Sequence, residues 1–312
     1  MQQVDTQARP PAADAGAIRR ATLIGFLATL GWACYGALVV AADMTPPFLA
    51  LSIFFTAAAV TLLARRLLLG QGIADLFRIP LSTLALGFFG LFGNNLLFVL
   101  AFTSGANPVS VNIVAFSWPV MMAAIVLLTG LARGTWWDAL AILLGSISFL
   151  AISYDGSSLS LHPGLLMALL GALLWAVYSA LRRVVPMGVP DAMTAFVSLS
   201  AVASWIVHLA IGEPLQTTPN DVLALVVIGI LPVGLANLMW DHGARLGDPV
   251  LLAGLSFVEP FLASSLIAYV HSVPFRSADL AGLALLLVGI GCSMVSERVR
   301  RRREATAAGR QA

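Results

Sequence analysis

The chain has 312 residues, of which 59% are hydrophobic and 10% are charged, with a net charge of +2 and a mean hydropathy of +0.93. Soluble domains have about 45–50% apolar and about 25% charged residues, so this composition excludes an ordinary water-soluble protein. All 17 basic residues are arginine, which excludes lysine-based chemistry, and the chain lacks the extended basic surface that a nucleic-acid partner would need.

Apolar runs of roughly 20 residues, long enough to cross about 30 Å of hydrocarbon, follow one another along the chain. Residues 1–17 are rich in Ala, Pro and Gln and lack an apolar core beside a cleavage site. They therefore predict a disordered tail and not a signal peptide. We predict ten transmembrane helices, at 21–42, 47–64, 82–103, 108–130, 135–153, 164–184, 191–211, 222–241, 249–270 and 278–296.

The arginines predict the orientation, because cytoplasmic loops carry the excess of basic residues. With ten spans and a cytoplasmic N-terminus, 16 of the 17 arginines fall in inner loops or tails, and Arg276 alone falls outside. Acidic residues such as Asp43 and Glu213 instead fall in outer loops. Both termini are therefore predicted to be cytoplasmic, and the Arg298–Arg303 cluster is interpreted as an anchor in the lipid headgroups.

The sequence contains an internal repeat. Trp32-Ala33-Cys34-Tyr35 in the first span matches Trp175-Ala176-Val177-Tyr178 in the sixth, and Phe116…Pro119 in the fourth matches Phe257…Pro260 in the ninth. Each half thus contains five spans, and because five is odd, the second half must be inverted. Inverted repeats are typical of secondary transporters, whose substrate site lies near the midplane between the halves.

These patterns predict an all-α integral membrane protein of ten transmembrane helices in two inverted five-helix repeats. Its predicted parts are the tail 1–17, a first repeat 18–155, a second repeat 161–297 and an Arg-rich cytoplasmic tail 298–312. The two cysteines, Cys34 and Cys292, lie in apolar runs and fit neither a metal site nor a disulfide framework. We interpret both as buried hydrophobic residues.

The ten-span plan, from about Arg19 to Arg300, resembles the drug/metabolite transporter superfamily of the EamA type. Three segments resemble the YddG-type amino-acid exporters: 21–25 (ATLIG), 117–119 (SWP) and 174–178 (LWAVY). The resemblance implies a transporter of the inner membrane that exports aromatic and other neutral amino acids by alternating access. Segment 257–260 (FVEP) resembles a broader metabolite-exporter pattern, so other metabolites, or cationic and aromatic drugs, are the alternative substrates.

Polar groups inside a span are costly and are therefore candidates for a binding site. Glu259 lies in mid-span beside Pro260. It is either a proton-coupling group or binder of a substrate ammonium, or a structural carboxyl bonded to backbone that Pro260 frees. Protons are thus a candidate coupling partner. Pro119 and Pro260, at equivalent positions of the repeat, are predicted hinges.

The other candidates for substrate binding are aromatic or hydrogen-bonding: Trp32, Tyr35, Asn94, Asn95, Asn112, Ser117, Trp118, Trp175, Tyr178, Asn237 and Trp240. The amides could hold a zwitterion or join neighbouring helices, the latter contributing about 1 kcal/mol each. The aromatic rings could line a cavity or belong to the belts at the membrane interfaces.

Function classes other than transport find little support in the residues. The histidines and serines are not arranged as a hydrolase site, and the sequence has no metal-binding or nucleotide-binding motif. We therefore predict no catalytic residue, no metal and no cofactor, with lipid and a small-molecule substrate as the partners. A channel or a receptor is the alternative, although neither a filter nor a sensing domain is visible.

Overall fold

The structure is a computed structural model that describes residues 15–130, 134–154, 158–181, 192–247, 252, 255 and 258–309. Within these ranges the regular structure is almost entirely helical. Hydrocarbon offers no partner to a backbone N–H or C=O, and a helix satisfies these groups within one segment. The predicted all-α class is confirmed.

The helices have the following bounds. They are α1 (Ala15–Ala33), α2 (Tyr35–Ala41), α3 (Pro47–Leu68), α4 (Leu81–Phe88), α5 (Asn94–Thr103), α6 (Pro108–Ala115), α7 (Trp118–Leu128), α8 (Trp136–Ser153), α9 (Pro163–Leu181), α10 (Ala192–Ile211), α11 (Pro219–Ile228), α12 (Ala236–Leu246), α13 (Val258–Val270) and α14 (Ser277–Gly309). Two π-helical segments, Phe89–Gly93 and Gly229–Leu235, join α4 to α5 and α11 to α12. A 3-10 helix, Ala74–Arg78, follows α3.

Nine stretches of the described residues are long and apolar enough to cross a membrane, and they correspond to every predicted span except the ninth. Of the ninth, 249–270, the structure describes α13, a helix of 13 residues, while most of 249–257 lies outside the described residues. Both terminal helices extend beyond the predicted spans. The first helix begins at Ala15, inside the predicted tail, and α14 continues through the arginine cluster for 33 residues in all.

Within the residues that the structure describes, four of the spans are interrupted. The first is broken at Cys34, the fourth by a turn at residues 116–117, and the third and eighth by the π-helical segments. Pro119 is the second residue of α7, where its missing N–H costs no helical bond, and the turn comes directly before it. Pro260 lies in the first turn of α13. Their role as hinges stays a prediction.

The most extensive helix packing joins the two halves of the chain, in the pairs α8–α14, α3–α10, α1–α12 and α5–α9. The crossing of α1 and α12 is especially close. A Cβ atom on Gly243 would lie 2.5 Å from the Cα of Gly25, so a larger residue at position 243 would force the helices apart. Small residues commonly allow such close approach between membrane helices.

Polar networks tie together the ends of neighbouring spans. At one end Thr45 donates a hydrogen bond of 2.9 Å to Asp221. At the other, Asp138 accepts hydrogen bonds from Ser296 (2.6 Å) and Arg300 (3.1 Å). In each network the partners come from span ends that the arginine distribution assigns to the same side of the membrane.

Candidate functional site

Two of the predicted site asparagines, Asn95 and Asn237, each lie two residues after a π-helical segment. Such segments interrupt the regular helical bonding and leave backbone carbonyls for other donors. Asn95 donates from Nδ2 to the carbonyl of Leu91 (2.7 Å), and Asn237 donates in the same way to Val233 (2.9 Å). The third and eighth spans therefore share one local arrangement.

Tyr35 connects the break in the first span to the third span. It is the first residue of α2, and its hydroxyl donates a hydrogen bond to Oδ1 of Asn95. Its ring stacks on Phe98, with centroids 4.9 Å apart at 23°, and meets the edge of Phe54 at 6.3 Å. The amide of Asn95 is thereby used at both ends, by Tyr35 and by the carbonyl of Leu91.

Trp32 connects the first span to the eighth. Its Nε1 donates to the carbonyl of Pro232, inside the second π-helical segment, at 3.0 Å. Its ring lies 5.4 Å from that of Trp240, centroid to centroid, on α12. Trp32 and Tyr35 lie about one helical turn apart. Through them the first span contacts both the eighth and the third span near its break at Cys34.

The sixth span packs on the first π-helical segment. The rings of Trp175 and Tyr178 are 5.2 Å apart, and the buried Tyr178 covers Gly90, where an added Cβ would overlap its side chain. Asn94 donates from Nδ2 to the carbonyl of Gly171 at 3.0 Å. The sixth span thus meets the third as the first span meets the eighth.

The remaining candidates lie apart from these contacts. Asn112 donates from Nδ2 to the hydroxyl of Ser264 at 3.0 Å, and this buried pair joins α6 to α13. Ser117 lies 4.0 Å from the sulfur of Met121, next to the half-buried Trp118 at the start of α7.

Glu259 is half-buried on α13, a helix that packs against α1, α2 and α6. Among the described residues no hydrogen bond to its carboxyl is present. A contact with substrate stays a prediction for Glu259, as for the other predicted site residues.

Sequence reasoning missed two fully buried aspartates. Asp138 closes a capping box with Thr135 at the start of α8, and Asp279 accepts hydrogen bonds from Arg276 and Ser110 at the start of α14. Each is the third residue of its helix, in the fifth and the tenth of the predicted spans, which the predicted repeat pairs with each other. The shared spacing was a signal that a search for repeats by aromatic motifs alone overlooks.

The chain also resembles known transporters. Residues 162–295 match the EamA-like transporter family. The chain is 31% identical, over 277 residues, to the aromatic amino acid exporter YddG of Ancylobacter novellus, covering 86% of this chain and 94% of that relative. The chain belongs to the EamA-like transporter family.

Two further similarities agree with membership of the EamA-like transporters. The aromatic amino acid exporter YddG of Salmonella typhimurium is 24% identical over 286 residues, which cover 87% of this chain and 95% of that relative. A solved crystal structure matches with a TM-score of 0.66 and 27% identity, over 90% of this chain and 99% of that chain. An EamA-like transporter with these apolar spans is a multi-pass protein of the inner membrane and not an enzyme, as the sequence predicts.

Proposed function

We propose that this chain exports aromatic and other neutral amino acids across the inner membrane by alternating access. The observation that carries the proposal is the 31% identity, over 86% of the chain, with a relative named as an aromatic amino acid exporter. The site supports it, because Tyr35 and Trp32 offer ring surfaces for an aromatic side chain. Asn95 and Asn237 are hydrogen-bonded within the protein, so a zwitterion would bind their amides by exchanging these hydrogen bonds.

The proposal includes ten spans in two inverted repeats with both termini in the cytoplasm. Two observations support the repeat. In the third and eighth spans, a π-helical segment is followed by an asparagine that donates a hydrogen bond to the carbonyl four residues earlier, and in the fifth and tenth spans a buried aspartate lies in the first turn. The helix pairs α1–α12 and α5–α9 also support it. The first pair joins the first and eighth spans, and the second joins the third and sixth, which are the equivalent spans in the predicted repeat. The arginine distribution supports the orientation.

Alternating access requires helices that bend and contacts between halves that can be exchanged. The break at Cys34 and the two π-helical segments supply bending points, since their regular hydrogen bonding is already interrupted. The hydrogen bonds from Trp32 to Pro232 and from Asn94 to Gly171 join the two halves, and each lies at or next to one of these bending points. A rocking motion would act on them directly.

We also propose that Glu259 couples transport to protons. It is half-buried in the ninth span and makes no hydrogen bond with the described residues, so its protonation can follow the access of water to this part of the span. The competing proposal is a facilitator, driven by the concentration difference of the amino acid alone.

Counterflow in liposomes tests the proposed function. Purified protein is reconstituted with unlabelled phenylalanine inside, and entry of labelled phenylalanine is followed against a panel of small, acidic and basic amino acids and a cationic aromatic drug. We expect saturable entry that is competed by aromatic and neutral amino acids. Flux that rises without saturation indicates a channel, and counterflow with the drug alone indicates the alternative substrate class.

A further inference from the structure

A cavity of about 170 Å³ lies where the loops before α6, α9 and α14 meet the end of α8. All of these span ends belong to the side that the arginine distribution assigns to the outside. The cavity is far larger than the roughly 10–15 Å³ that one water molecule needs. Its polar lining includes Asn107, Ser153, His162 and Arg276, which are separate from the aromatic residues around the π-helical segments.

Arg276 places a guanidinium group at this cavity, in a salt bridge with Asp279. Its Nη2 donates to Asp279 (2.8 Å), to Ser110 (2.9 Å) and to the carbonyl of Ile152 (3.0 Å), and its Nε donates to Asp279 (3.1 Å). Hydrogen bonding to Asp279 raises the pKa of Arg276. The side chain of Asp279 is fully buried whereas that of Arg276 is 39% exposed, and Nη1 makes no hydrogen bond with the described residues.

Two other side chains of the lining have donors to offer. Asn107 accepts on Oδ1 from the N–H groups of Val109 (2.9 Å) and Ser110 (3.2 Å), which leaves its Nδ2 as a donor. His162 accepts on Nδ1 from the N–H of Gly164 (3.1 Å). The neutral ring must therefore carry its hydrogen on Nε2, so this nitrogen is also a donor.

Ser153 gives the independent sign that a ligand belongs here. Its side chain is 2% exposed, and its hydroxyl has no hydrogen-bond partner among the residues that the structure describes. Its backbone is fixed, because its carbonyl accepts from the N–H of Ser160 at 2.8 Å. Buried hydroxyls are normally bonded, and one that is left without a partner beside a cavity requires an explanation.

Three helices begin at this cavity, since Asn107, His162 and Arg276 directly precede α6, α9 and α14. Each helix start carries a partial positive charge, which favours an anion. We propose that the cavity is an outer binding site for the carboxylate group of a small solute. The carboxylate accepts hydrogen bonds from Arg276 and Ser153, and the inference goes beyond the proposed export function because it does not depend on transport.

Binding of labelled acetate to the purified full chain in detergent tests the site, with line broadening in nuclear magnetic resonance as the readout. We expect acetate to bind and the neutral isostere acetamide not to bind. Ser153→Ala should weaken acetate binding about tenfold, because it removes a donor to a charged group. Ser146→Ala is the matched control, since its hydroxyl bonds to Ile142 of the same helix at 2.9 Å and does not line the cavity.

Asn107→Asp provides a second variant. Aspartate caps a helix N-terminus about as effectively as asparagine does, so the start of α6 should be unchanged. The substitution replaces the amide donor with a negative charge. Acetate binding should be lost in this variant. Equal binding of acetate and acetamide, or wild-type acetate affinity in both Ser153→Ala and Asn107→Asp, would overturn the proposal. If Asn107→Asp does not elute as folded protein, Ser153→Ala against Ser146→Ala decides.

Competition distinguishes the two sources of the carboxylate. If phenylalanine displaces labelled acetate and phenylalaninamide does not, the site receives the carboxylate of an amino acid. If neither displaces it, the site receives free monocarboxylates. Since the assay needs no flux, failure of this proposal leaves the counterflow result untouched, and failure of counterflow leaves the acetate result untouched.

Discussion

At the scale of single residues, the bond from Tyr35 to Asn95 is the most informative contact of the site. It combines a hydroxyl, an amide and a stacked ring in one place, at the break of the first span. The tyrosine ring is held by Phe98 independently of the hydroxyl, so the two contributions can be separated by a single oxygen atom.

Tyr35→Phe keeps the stacked ring and removes the donor to Asn95. We expect a loss of about 1 kcal/mol in stability, because a buried amide oxygen loses its partner, and a several-fold higher half-saturation for phenylalanine in counterflow. Tyr269→Phe is the control, since Tyr269 is 85% exposed. Identical behaviour of the two variants would remove Tyr35 from the site.

Glu259→Gln tests proton coupling. Glutamine matches the neutral acid in shape and hydrogen bonding but cannot release a proton, so the variant should retain counterflow and lose any acceleration by an inward proton gradient. Glu297→Gln, at the end of the tenth span, should keep the acceleration. A wild type that ignores the gradient, or a Glu259→Gln variant that still responds to it, would indicate a facilitator.

At the scale of helices, close packing against the sixth span explains why the third span has a glycine at position 90. Tyr178 of α9 lies directly over Gly90, so that the sixth span approaches the backbone of the first π-helical segment. Asn94 and Asn95 follow the same segment, and their side-chain amides donate hydrogen bonds to Gly171 and Leu91. Side chain size at position 90 should therefore control how closely the two halves pack.

Gly90→Ala places a methyl group in the space that Tyr178 occupies. Overpacking of this kind costs about 1–3 kcal/mol, so thermal unfolding in detergent should occur several degrees lower. Gly72→Ala is the matched control, because a Cβ there meets nothing closer than Asp75 at 3.9 Å. If both variants unfold at the same temperature, the packing of Tyr178 does not limit the side chain size at position 90.

The sequence predicted the helices better than the contacts between them. Spans follow from hydropathy, which depends on each segment alone, and the amides and aromatic rings could be identified as costly or unusual inside a span. The hydrogen-bond partners of these side chains could not be predicted, because they depend on how each helix is rotated about its axis. Asn112 bonds to Ser264, whereas Asn95 bonds to Tyr35. The π-helical segments were also missed: Phe89–Gly93 contains no proline to signal an interruption, whereas Gly229–Leu235 contains Pro232.

At the scale of the whole molecule, the proposed inversion of the halves has a direct consequence for labelling. Arg78 and Gln216 lie in the loops that follow the second and the seventh spans, and both are exposed. Five spans separate them, so an impermeant thiol reagent should reach Arg78→Cys from one side of the membrane and Gln216→Cys from the other. The variants are made with Cys34 and Cys292 replaced by alanine; labelling of both from the same side would exclude the inverted arrangement.

The length of α14 opens a practical route to imaging. Its 33 residues make a helix of about 50 Å, well beyond the hydrocarbon thickness of about 30 Å. A soluble helical protein spliced in register after Gly309 would inherit the direction of this helix and turn rigidly with the transporter. The transporter alone has a mass of only 32.8 kDa and mostly short loops outside the bilayer, so its particles are difficult to align in electron cryomicroscopy. The attached protein would provide a fixed marker for this alignment.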